Sequence, residues 1–194
     1  MDLTQKIDDF NLNNKTTIVG IRHAIGLFNE TYWLDQTLEY LDRTIKIKDK
    51  IMLEIPEYPL TEKFRKYTFK RDFSFFELFI KELERREAII LPAEDKEKFY
   101  YDYKKKDWID DLNSYLNNRD KMFIEKIENL KPKFFYVGAG HITYLKEYLI
   151  GYNFVNLVNE EEDKKIFSWL RYQELLNLTD LINELNDRFL LKLT

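Results

Sequence analysis

With 194 residues, 44% of them hydrophobic and 16% aromatic, the chain suits one domain with a continuous core and is too apolar to stay disordered. A net charge of -4, with Lys and Arg scattered among Asp and Glu, leaves no basic stripe, so no nucleic-acid partner is expected. Cysteine is absent, which excludes disulfides, thiolate metal sites and cysteine nucleophiles.

Residues 16–19 open the pattern as a short, continuously apolar run of the kind that forms a buried parallel strand, and the chain continues Gly20-Ile21-Arg22-His23. A helix is predicted over 30–45, with Trp33, Leu34, Leu38, Leu41 and Ile45 on one face and Asn29 as N-cap. The second strand covers 50–55. Glu54 interrupts its apolar run, either because the strand has surfaced before Pro56 or because a carboxylate is held at the sheet edge by partners. A second helix over 72–87 aligns Phe75, Phe76, Phe79, Ile80 and Leu83.

The third strand covers 88–92 and ends in Glu94-Asp95, acidic residues that suit the N-cap of a following helix. The Lys-rich stretch 96–106 reads as a solvated helix or loop. A long helix over 107–130 stops before Pro132. Its stripe of Trp108, Leu112, Tyr115, Leu116, Phe123, Ile127 and Leu130 passes through Arg119, whose guanidinium then needs a carboxylate or bound anion unless its head reaches back to solvent. Asp120 beside it reads as a surface residue or local ion-pair partner.

A fourth strand over 133–137 runs into Gly138-Ala139-Gly140-His141. A short helix over 142–150 closes on Gly151, a fifth strand covers 153–158, and 160–194 become an amphipathic helix suited to packing or to a dimer contact. Strands alternating with helices imply an α/β fold with a mainly parallel sheet covered on both faces. No stretch approaches the roughly 18 apolar residues of a membrane span. The opening residues lack a cationic-then-apolar leader, so a cytoplasmic location is expected.

The two histidines share one setting. His23 and His141 each follow a glycine by three positions at a strand's carboxyl end, where open α/β sheets place their chemistry. His23, Glu54, Arg119 and His141 are therefore the candidate site residues. The Gly138-Ala139-Gly140 turn also mimics part of a dinucleotide fingerprint, but Thr143 stands where its third glycine belongs.

In this order along the chain, Gly20-x-x-His23, the strand ending in Glu54, Ile89-Ile90-Leu91 with its acidic turn, Arg119-Asp120, Val137-Gly138-Ala139-Gly140-His141 and Leu149-Ile150-Gly151-Tyr152 resemble the TraB/PrgY/Tiki family of the erythromycin-esterase/ChaN-like superfamily. The resemblance covers about residues 16–158 and is most specific from Arg119 to Val155. The first motif departs from the usual form, with Ile21 where a small hydroxyl residue is common. It implies an erythromycin-esterase/ChaN-like core with 160–194 as an added helical segment. It also implies a hydrolase of peptide or ester bonds acting on a small-molecule or peptide substrate. In one form a histidine is the general base, helped by Glu54, with Arg119 steadying an oxyanion or a substrate carboxylate. In another, His23, His141 and Glu54 hold a divalent zinc, manganese or iron ion, with Glu94 or Asp95 as other possible ligands. The alternative is a non-catalytic module that sequesters a peptide or ligand.

Overall fold

A computed structural model describes residues 15–22, 32–68, 70–105 and 112–158. The chain divides into Met1–Leu157 and Val158–Thr194. The helix expected over 160–194, and any dimer contact through it, lies outside the described residues.

Five strands make one all-parallel sheet: β1 (Thr17–Ile21), β2 (Lys50–Leu53), β3 (Ile89–Pro92), β4 (Phe134–Gly138) and β5 (Asn153–Asn156). Their spatial order is β3-β2-β4-β1-β5. The helices are α1 (Tyr32–Thr44), α2 (Glu62–Tyr67), α3 (Lys70–Arg85), α4 (Lys96–Lys105), α5 (Leu112–Leu130) and α6 (Ile142–Tyr148), the last preceded by a 3-10 turn at Ala139–His141. No helix among the described residues is long and apolar enough to cross a membrane.

Period-two alternation divides each central strand between two core layers. Val19 and Ile21, Ile51 and Leu53, and Phe134 and Tyr136 face one layer, with Leu34 and Leu41 of α1 and Phe75, Phe76, Phe79 and Leu83 of α3. Ile18, Met52, Phe135 and Val137 face the other, with Phe123 and Ile127 of α5 and Ile142 and Leu145 of α6. Helices thus cover both faces, and continuous apolar runs are what a strand buried on both sides requires.

The topology explains the segregation. Crossovers from β1 and β2 step toward the β3 edge, whereas those from β3 and β4 step back toward β5. Right-handed crossovers in opposite directions put α1 and α3 on one face and α5 and α6 on the other, with α4 alone crossing back to the first layer. The neighbours β2 and β4 therefore send their chains apart, so the topological switch point of the sheet lies between their carboxyl ends.

Differences from the expected elements are local. β1 and β4 run on through Ile21 and Gly138, because Gly20 and Gly138 remain in register opposite Val137 and Ile21. α6 also packs tightly over Gly20, since a Cβ there would stand 2.7 Å from Ile142 Cγ1. The helix α2 has no counterpart in the sequence reading. Thr61 caps it by accepting from the Phe64 N–H at 3.2 Å, and Phe64 is its buried residue. The 96–106 stretch is helical but not simply solvated: Phe99 and Tyr100 are buried in the first core layer, while Tyr101 is exposed.

Candidate active site

Glu54 directly follows β2 and is buried, so the surfacing explanation for its place in an apolar run is overturned. The strands' lacing continues past their ends: Ala93 N–H donates to Leu53 O at 2.8 Å and Glu94 N–H to Ile55 O at 3.1 Å. This keeps Glu54 and Glu94 adjacent at the carboxyl edge. Across the switch point, Glu54 Oε2 accepts from the Gly138 N–H at 2.7 Å. The carboxylate thus bridges the ends of β2 and β4.

Arg119 comes from α5 on the second face and points inward. Its Nε donates to Glu94 Oε1 at 2.9 Å and its Nη2 to Glu54 Oε1 at 2.5 Å, with a further Nη2 bond to Glu94. Two nearly dry carboxylates around one guanidinium repay the cost of burying its charge through charge-assisted hydrogen bonds. Glu94 and Asp95 have separate tasks. Asp95 Oδ1 accepts from the Lys98 N–H at 2.8 Å at the start of α4, the N-cap role expected of the pair, while Glu94 is buried against Arg119.

His141 ends the 3-10 turn after β4 and is buried. Its Nδ1 lies 2.6 Å from Asp120 Oδ1 and its Nε2 3.5 Å from Glu54 Oε1. The ring edge packs against Phe123, centroids 5.4 Å apart. Burial pulls the imidazole pKa down, but the charge of Glu54 and the bonds to Asp120 and Glu54 outweigh it, even against Arg119, and raise it to about 9. At neutral pH His141 is an imidazolium between two carboxylates.

Asp120 therefore corrects the sequence reading: it is 3% exposed and faces His141 rather than solvent. The signal was present, because Leu116, Asp120, Phe123 and Ile127 follow steps of three and four just as well as a stripe through Arg119 does. Glu54, Arg119 and His141 are brought together as expected, with Glu94 and Asp120 added. His23 lies outside the described residues.

Neither a family model, nor a curated protein, nor a solved structure matches the chain. The TraB/PrgY/Tiki resemblance thus rests on its quoted residues alone.

The donor set was also considered for a divalent cation. Among the described residues no group of three His, Asp or Glu side chains is arranged to hold one. Glu54 and His141 are neighbours, but the fixed positive charge of Arg119 sits on the Glu54 oxygen that a cation would share. His23, the third member of the expected metal set, lies outside the described residues; the described members alone do not fit a metal.

Proposed function

We propose that the chain is a hydrolase of ester or peptide bonds that works by acid–base chemistry at the β2–β4 switch point. The observation that supports this most is the His141 ring, held by Asp120 on one nitrogen and facing Glu54 with the other. Glu54 accepts a proton from water as it adds to the substrate carbonyl. His141, as imidazolium, protonates the departing alkoxide or amine as the carbonyl carbon–heteroatom bond breaks. The proton held by Glu54 then returns to His141 across the 3.5 Å between them. Arg119 and the Gly138 N–H fix the Glu54 carboxylate, and Asp120 fixes the ring. No step uses a metal.

The test is turnover of a panel of nitrophenyl esters and short peptides by the wild-type chain and by H141N, E54Q and D120N, with a chelator present. Loss of turnover in H141N and E54Q and survival in chelator support the proposal. Turnover that persists in H141N overturns it. The pairing of Arg119 with Glu54 and Glu94 favours one other reading, a preformed binding site without turnover. A silent panel together with ligand binding lost in H141N selects that reading.

A further inference from the structure

Arg119 and Lys126 lie seven positions apart on α5, about two turns, and so share one face of the helix. Both reach the same residue. Arg119 takes the Glu94 carboxylate, while Lys126 Nζ donates to the Glu94 carbonyl at 2.7 Å and to the Pro92 carbonyl at 3.3 Å. Glu94 is gripped at its side chain and at its main chain by one helix face. Lys126 is half-buried, and burial presses its pKa below the usual lysine range although Glu94 and Asp95 oppose that. An ammonium withdrawn from water to hold two neutral carbonyls forgoes hydration, which makes it a demanding way merely to finish a strand.

Asp120 follows Arg119 directly, so the rotation of α5 against the sheet edge sets where the Asp120 carboxylate points. Phe123, between the two grips, packs edge-on to both Phe135 and His141, and its apolar contacts leave that rotation less sharply defined than hydrogen bonds do. We propose that Lys126 is a positioning residue: together with Arg119 it clamps Glu94 and so fixes the rotation of α5 that delivers Asp120 to His141. The effect on turnover rests on the hydrolase reading; the effect on His141 does not.

The chain has only two histidines, so proton NMR titration of the full chain reads His141 directly once H141N has assigned its signal. In K126M the His141 pKa falls by about one unit as the bond to Asp120 loosens, and kcat drops about tenfold at constant KM. Simple loss of a nearby positive charge would raise that pKa instead, so the sign separates positioning from electrostatics. K126R, which can still reach both carbonyls, keeps the wild-type values. K121M, an exposed lysine on the same helix, also keeps them. If K126M does not fold, K126Q, too short for both carbonyls, takes its place. A K126M or K126Q protein whose His141 titrates unchanged or higher overturns the clamp. A wild-type chain without turnover whose His141 pKa still falls in K126M keeps the clamp and overturns hydrolysis.

Discussion

His141 is the residue whose surroundings do most to set its chemistry. Folding raises its pKa from an ordinary 6.5 to about 9. A group raised on folding contributes stability fully below its unfolded pKa and loses it as pH rises through the folded one. The contribution is therefore complete below about pH 6.5, shrinks between 6.5 and 9, and vanishes above. Its scale is about 3 kcal/mol, from the size of the shift. Urea unfolding at pH 6 and pH 9.5 should show the wild-type chain losing stability over that interval and H141N losing far less; equal slopes would refute the imidazolium. On the hydrolase proposal the same proton governs turnover, so kcat should fall on the alkaline side with an apparent pKa near 9; in E54Q, which lacks the base and with it the turnover, proton NMR should show His141 titrating at lower pH because the charge that raises it is gone. A His141 titration that stays in place in E54Q would mean that Glu54 does not act on the ring. D120N should reduce kcat by about a hundredfold with little change in KM. The partners of these residues were unequally legible. Glu54 and Arg119 stood out because a charge interrupts an apolar run, and His141 because of its place after a strand. Asp120 was obscured by its neighbour, since two adjacent helix positions both fit a stripe of threes and fours. Glu94 was obscured because a buried carboxylate and an N-cap look alike in sequence, and only the arrival of α5 from elsewhere in the chain separates them.

At the scale of elements, the approach of α6 to β1 depends on the absence of a side chain at Gly20. A Cβ there would meet Ile142 Cγ1 at 2.7 Å and Asn156 Oδ1 at 2.9 Å. Ile142 follows His141, so pushing α6 away also disturbs the turn that carries the imidazole. G20A should cost about 1–3 kcal/mol through overpacking. I142A alone should cost about 2–5 kcal/mol by opening a cavity, and the double variant should cost less than the sum because the new methyl fills part of it. Denaturant titrations of the four proteins give the coupling, and strict additivity would show that Ile142 is not the obstacle. The Gly-x-x-His pattern around β1 therefore has a packing reason for its glycine that owes nothing to catalysis. Gly151 has a different one, a φ of 77° after the end of α6. The five strands and the long amphipathic helices were readable because each carries a full period of apolar residues. The helix α2 was not. Six residues with one buried phenylalanine have no period to detect, and what holds it is the Thr61 cap and the packing of Phe64 against Phe73 and Phe99, which belong to other helices.

At the scale of the molecule, the strand order β3-β2-β4-β1-β5 makes β4 the central strand, with β2, β4 and β1 each hydrogen-bonded on both sides. A short, continuously apolar run reveals a buried strand but carries no information on which strand lies beside which, so this order was beyond the sequence even though the α/β class was not. The order has a consequence for stability. Phe135, Tyr136 and Val137 are wholly buried, and β4 faces both core layers, whereas β3 ends the sheet on one side with Ile89 exposed and β5 ends it on the other with residues only partly covered. Opening β4 requires breaking two ladders and both layers at once; opening an edge strand requires one ladder. Native-state hydrogen exchange should therefore place the β4 amides at the global unfolding free energy and those of β3 and β5 at least about tenfold faster. The site spans this gradient. His141 and the Gly138 N–H hang from the most protected strand, while Glu94 hangs from an edge strand and is held by α5 through Arg119 and Lys126. If that clamp carries the load, the β3 amides of K126M should exchange faster still while those of β4 fall only with overall stability. Uniform acceleration of both strands would show that Lys126 serves the whole fold and has no separate hold on the edge that carries Glu94.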